Sequence, residues 1–257
     1  MSIDVSVEQG VCTIVINRPE RLNAMDAEHY EALSQAWRRV RDEPDIRVAI
    51  VTGAGEKSFT TGADIKSFLT APPGYDAMWL TQRDQLLNRG LEVWKPVIAA
   101  VNGYCLGGGT TLMLATDIRV ASTNATFSLA EVKRGVIPGN GGTQRVLRQL
   151  PYAIAMEMLL TGDAIDAATA ARWGLVNAVV APERLMETAL GYARRIAANA
   201  PLAVQAAKEL ALRSQDVDLA NGLRMEQVMN RMLMATEDAA EGPAAFREKR
   251  PAQFKGR

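Results

Sequence analysis

The chain has 257 residues, 48% of them hydrophobic, with 29 basic and 29 acidic side chains and a formal net charge of zero. That length suits one large domain, or a domain with a small appendage. Zero net charge and the lack of an aromatic-basic face argue against nucleic acid as a partner, and no apolar run is long enough for a membrane partner. The start, MSIDVSVEQG, has neither a basic n-region nor an apolar h-region, so no signal peptide is expected. Two cysteines, Cys12 and Cys105, sit far apart in apolar stretches. They read as buried thiols, which fits a cytoplasmic protein.

Residues 3–7 alternate apolar and polar, Gln9-Gly10 reads as a turn, and residues 11–16 are rich in β-branched side chains. This is a hairpin pattern. Asp26 is placed to cap a helix running to about Arg41. His29, the single histidine, lies in a polar stretch of that helix and reads as surface. Residues 46–51 read as a buried strand and residues 57–64 as a loop leading into a short helix. Pro72-Pro73-Gly74 breaks that helix, and a further one is expected over residues 76–91. A strand over residues 96–101, a helix over 110–115 and a strand over 118–121 follow. Helices are expected at 143–150, 152–160 and 167–173, a strand at 176–180, and helical periodicity from Pro182 almost to the end. Strands alternating with helices, then a helical last third, indicate an α/β chain.

Gly107-Gly108-Gly109 follows the strand at residues 96–101 after a short interval. Three glycines leave backbone N–H groups uncovered by side chains, and a helix starting there points its free donors forward. That suits a developing oxyanion, with Glu131 as a candidate for the proton transfer that creates it. The run has neither the G-x-G-x-x-G spacing of a dinucleotide site nor the Gly-Lys-Ser/Thr of a phosphate loop. A single histidine argues against nucleophile–histidine schemes, and clustered metal ligands are absent from the sequence.

Read together, the segments carry more. Asn17-Arg18-Pro19 with Asn23-Ala24, Ser58-Phe59 with Gly62-Ala63-Asp64-Ile65-Lys66, Lys95 through Gly103, the glycine triplet, Asp117, Glu131 and Gly141 through Arg145 occur in order. Thr161-Gly162, Gly174-Leu175-Val176 and Phe246-x-x-Lys249-Arg250 continue the series. The chain resembles the crotonase (enoyl-CoA hydratase/isomerase) superfamily over nearly its whole length. The resemblance implies an α/β superhelix of strand-strand-helix turns over residues 1–195, and a helical oligomerisation region over 196–257 that builds a trimer or a hexamer. It implies acyl thioesters of coenzyme A as substrates, with no cofactor beyond that CoA. The N–H groups of Ala63 and Gly108 match the family's oxyanion hole, and Glu131 its acid/base. Gly62, Asp64, Ile65 and Lys66 would flank the CoA, while Thr111 and Gly139 face the substrate. Asp64 also reads as a structural N-cap. Phe246 and Lys249 match positions that reach the CoA of a neighbouring subunit. Met225, Met229, Met232 and Met234 read as core or trimer packing.

One departure matters. Hydratases of the family generally carry a first glutamate where this chain has Thr111, and a hydroxyl is no general base near neutral pH. This puts two-glutamate hydration in doubt and leaves double-bond isomerisation or hydration/dehydration with one glutamate. Gly139 stands where the dienoyl isomerases have an aspartate, which argues against that chemistry. Carbon–carbon bond cleavage, with Tyr75, Tyr104, Asp76 or Asp84 recruited, is an alternative. So is a non-catalytic acyl-CoA-binding scaffold. Acyl-chain selection is assigned to residues 68–91, where Met78 and Trp79 suggest an apolar wall.

Overall fold

The computed structural model describes residues 2–66 and 85–257. Strands β1 (Ser2–Glu8) and β2 (Val11–Asn17) form the expected antiparallel hairpin, with Glu8 opposite Val11. Its two turn residues, Gln9 and Gly10, have φ of 50° and 79°, the backbone that matches the twist of paired strands. Helix α1 (Ala27–Asp42) starts where Asp26 accepts the His29 N–H, and it buries Leu33, Ala36, Trp37 and Val40.

Strands then come in consecutive pairs. β3 (Val48–Gly53) is followed by β4 (Ser58–Thr60), β5 (Val97–Val101) by β6 (Tyr104–Leu106), and β7 (Ile118–Ser122) by β8 (Thr126–Ser128). The first of each pair joins a six-stranded sheet in the order β1-β2-β3-β5-β7-β10, with β10 at Ala178–Val180. The second joins a four-stranded sheet in the order β4-β6-β8-β9, with β9 at Ile165–Asp166. Beyond the opening hairpin the large sheet is parallel, and β4, β6 and β8 are parallel too. Each pair is one turn of a spiral that visits both sheets.

The central strands β3 and β5 of the large sheet are buried on both faces. Ala49, Val51, Val97, Ala99 and Val101 point into the main core. Their neighbours Val48, Ile50, Ile98 and Ala100 pack against Leu185, Ala189 and Ala193 of a helix at Leu185–Ala197. Two-sided burial explains why these strands read as continuous apolar runs. Residues 57–64 were expected as a loop but contain β4. Strands of three residues show no period, so β4, β6 and β8 escape a periodicity reading.

After Pro201 come helices at Pro201–Arg213, Leu219–Leu233 and Glu237–Glu248. The tail folds back: buried Asp238 accepts the N–H groups of Lys255 and Gly256, and Arg47 donates to the carbonyls of Ala197 and Phe254. No residue of Leu219–Leu233 is buried, and Leu219, Leu223, Val228 and Met232 are exposed, as is Met234 just beyond it. The methionine helix is therefore not core of this chain. Among the described residues, no helix is long and apolar enough to cross a membrane.

Candidate active site

Ala63 lies three residues beyond β4, Gly108 two beyond β6, and Glu131 three beyond β8. These strands are parallel neighbours, so residues far apart in sequence converge at the carboxyl end of one small sheet. Ligands of α/β proteins collect at such strand ends. A cleft of about 640 Å³ opens there, lined by Ala63, Gly108, Thr111 and Glu131 among others, within the range of small-molecule sites.

The two loops meet backbone to backbone. Gly62 has φ +82°, and a Cβ on it would stand 2.6 Å from the Gly108 nitrogen. Ala63 is held in a bridge with Met25, in which Met25 N–H donates to the Gly62 carbonyl and Asp64 N–H to the Met25 carbonyl, each at 2.8 Å. That pattern spends the flanking groups and leaves the Ala63 N–H without an acceptor among the described residues. Gly108 opens the short helix Gly108–Met113, where first-turn donors have no intrahelical partner. Its N–H likewise finds no acceptor among the described residues. Two spare donors facing one cleft can stabilise a single anionic oxygen.

Glu131 sits in a 3₁₀ turn, Ala130–Arg134. Gly107, at φ +53°, makes room for its carboxylate: a Cβ at 107 would lie 3.3 Å from Glu131 Oε1. Glu131 Oε2 is buried and has no hydrogen-bond partner among the described residues. Burial pushes the carboxyl above the ordinary glutamate range, against smaller opposing effects of its own backbone N–H and of Arg134. A carboxyl poised this way exchanges protons more readily near neutral pH. Thr111 is buried, and its hydroxyl donates to the Gly107 carbonyl at 3.3 Å, which leaves its lone pairs free to accept.

A family model described as enoyl-CoA hydratase/isomerase matches residues 6–257. The chain belongs to that family. Among members of the enoyl-CoA hydratase/isomerase family, it is 46% identical to an (E)-benzylidenesuccinyl-CoA hydratase of Thauera aromatica, over 100% of each chain. It is 40% identical to a carnitinyl-CoA dehydratase of Proteus mirabilis, over 100% of this chain and 99% of the other. The crystal structure of an enoyl-CoA hydratase from Bacillus anthracis superposes with a TM-score of 0.93 at 38% identity, covering 100% of both chains. The spiral of strand pairs is thus the crotonase fold.

Against this family frame, most residues singled out in the sequence fall in one place. Ala63, Asp64, Ile65, Lys66, Gly108, Thr111, Glu131 and Gly139 line the cleft, with Gly62 immediately behind its rim. Asp64 does structural work: it pairs with Arg18 at 3.0 Å and accepts the Lys66 N–H at 3.2 Å. Phe246 and Lys249 do not line this cleft; Phe246 is 86% exposed. Tyr104 starts β6 with its side chain exposed and does not line the cleft either. His29 corrects an expectation. It is buried, not surface, with Nδ1 2.6 Å from the Asp26 carboxylate, which also lies 3.5 Å from Arg18 Nη1. Residues 67–84, with Tyr75, Asp76, Met78, Trp79 and Asp84, lie outside the described residues. Over the rest of the helix expected at 76–91, one 3₁₀ turn, Leu87–Arg89, is present. Sequence reasoning missed Tyr30 and Arg89, which also line the cleft. Neither belongs to a motif, and only folding brings them there.

Proposed function

We propose that this enzyme adds water to, or removes it from, a 2-enoyl-CoA thioester. The thioester oxygen lies between the N–H groups of Ala63 and Gly108, and Glu131 carries the proton. In the hydration direction, Glu131 takes a proton from water as the water oxygen bonds to the β-carbon. The displaced electron pair comes to rest on the thioester oxygen as an enolate, where the two N–H donors stabilise it. The enolate then takes the same proton from Glu131 at the α-carbon, so one water is added and Glu131 is restored. Thr111 accepts a hydrogen bond from that water, in place of a second carboxylate. The observation that carries this reading is a buried Glu131 Oε2 in the same cleft as two backbone donors, all three without a partner among the described residues. The names of the hydratase and dehydratase relatives support it.

The chemistry needs no cofactor apart from the CoA of the substrate. Gly62, Ile65 and Lys66 flank the pantetheine arm. Phe246 and Lys249 serve the site of a neighbouring copy in a trimer or a pair of trimers, a role supported by their exposure and by the uncovered apolar side chains of Leu219–Leu233. A cytoplasmic location fits two free, buried cysteines. The test is Glu131→Gln. Turnover of enoyl-CoA substrates falls at least about a hundredfold, the usual weight of a general acid/base, while acyl-CoA binding by calorimetry persists. Turnover within a few-fold of wild type refutes the assignment.

A further inference from the structure

We propose that Arg89 determines specificity by pairing with a carboxylate on the acyl group, so that the substrate is the CoA thioester of an unsaturated dicarboxylic acid. This rests on the function proposed above and names the class of its substrate.

Arg89 ends the turn Leu87–Arg89 and lines the same cleft as Glu131. Its guanidinium is fixed at one corner: Nε donates to Asn140 Oδ1 at 2.6 Å. Asn140 is held in turn. It has φ +59°, and its carbonyl accepts from Arg145 Nη1 at 3.1 Å, the same nitrogen that reaches the Asn88 carbonyl at 3.2 Å. The strand-end loop carrying Asn140 and the turn carrying Arg89 are thereby tied together. With Nε engaged, the Nη1/Nη2 edge of Arg89 remains. Among the described residues it has neither a hydrogen bond nor an ion pair. That edge is the fork that takes a carboxylate in two parallel hydrogen bonds.

Position decides what kind of anion fits. The Tyr30 hydroxyl stands beside Gly108, 3.5 Å from where a Cβ there would be, and the Arg89 guanidinium carbon lies 5.9 Å from the centre of the Tyr30 ring. Tyr30 thus neighbours both Gly108 and Arg89, which puts Arg89 at the thioester end of the cleft, whereas the phosphates of CoA are a whole pantetheine arm away from the thioester. The charge balance agrees. Two carboxylates line the cleft, Asp64 and Glu131; Asp64 is paired with Arg18, and among the described residues no ion pair joins either one to Arg89. A hydrocarbon acyl chain would cover the Arg89 fork and leave a desolvated cation unpaired, whereas a carboxylate restores the missing partner.

The experiment uses 2-enoyl-CoAs of matched length, with and without a terminal carboxylate, on wild type and Arg89→Gln. Wild type shows the higher kcat/KM on the carboxylated member. In Arg89→Gln the ratio of the two kcat/KM values falls about a hundredfold, the factor expected for a charge-assisted, two-bond pair. Inhibition by free CoA does not change. The saturated analogues give the same ratio as dissociation constants by calorimetry, so the inference stands or falls even if neither enoyl-CoA turns over. A wild type that turns over neither enoyl-CoA, yet binds the carboxylated analogue preferentially and loses that preference in Arg89→Gln, would overturn the proposed function and spare this inference. An equal loss on both analogues, or weaker binding of free CoA, would make Arg89 a phosphate contact and overturn it.

Discussion

Substituting alanine for Gly62 tests the oxyanion hole through the backbone alone. The new Cβ would stand 2.6 Å from the Gly108 nitrogen and 2.9 Å from its Cα, where ordinary contact begins at 3.4 Å. Both neighbours are main-chain atoms, so no side chain can swing aside. The two loops must part by about 0.8 Å, the gap between 2.6 and 3.4 Å. The φ of +82° adds about 1–2 kcal/mol of strain for any residue with a Cβ. Donors displaced by close to 1 Å cost on the order of a hundredfold in rate, comparable with deleting one oxyanion donor. We therefore expect Gly62→Ala to fold, to melt a few degrees lower, and to lose about a hundredfold in kcat. The assay follows loss of the conjugated enoyl thioester absorbance, with the folded fraction checked by circular dichroism. Gly191→Ala is the control: nothing lies within 4 Å of its Cβ, and it sits inside the helix Leu185–Ala197. It leaves kcat unchanged and stability equal or higher. A Gly62→Ala enzyme with kcat within threefold of wild type would refute the placement of the donors.

Thr111→Val removes the hydroxyl proposed to hold the water while keeping volume. It is expected to slow hydration about tenfold, yet to leave Glu131-dependent α-proton exchange, followed by NMR in deuterated water, nearly intact. Equal losses in both would remove Thr111 from water handling. Glu131 also has a stability signature. Its folded pKa is raised, so its favourable contribution is complete below the unfolded value near 4.3 and is lost as pH rises through the folded pKa. Glu131→Gln should therefore melt above wild type at neutral pH, with the gap closing as the buffer approaches pH 4; a gap independent of pH contradicts the desolvation argument. The kcat/KM of wild type should fall on the acid side above the ordinary glutamate range, because the base must be ionised. Arg119, buried and pushed down to about 10 chiefly by desolvation, donates to the carbonyls of Met113, Leu114, Thr116 and Leu175. Arg119→Met strands those acceptors and should cost at least about 3 kcal/mol by urea titration; a loss under 1 kcal/mol would mean that water replaces the guanidinium.

The long elements were legible because burial writes itself into the chain. Two-sided burial makes residues 48–51 and 97–101 unbroken apolar runs, and Asp26 announces α1 by the bond it makes to its third neighbour. Glu131 and the glycine triplet were legible through their order with other motifs, not through periodicity. What stayed hidden has physical reasons. β4, β6 and β8 are too short to show alternation. His29 looked polar and therefore exposed, but it is buried, with Nδ1 on the Asp26 carboxylate and Nε2 without a partner among the described residues. Arg89 and Tyr30 are ordinary residues whose meaning lies in their neighbours, and Asn140 meets Arg89 across 51 positions of sequence.

The placement of Ala63, Gly108 and Glu131 just past three adjacent parallel strands also sets a ruler. Neighbouring strands stand about 4.8 Å apart. Two N–H donors at about 2.9 Å from a shared oxygen, approaching at a roughly tetrahedral angle, are separated by nearly the same distance. The repeat of the small sheet thus gauges the width of the proposed hole, independently of any side chain. Cleft residues such as Thr111 or Arg89 can then be exchanged for others without recalibrating the grip on the thioester, and one spiral can take up new acyl groups while its hold on the carbonyl stays fixed.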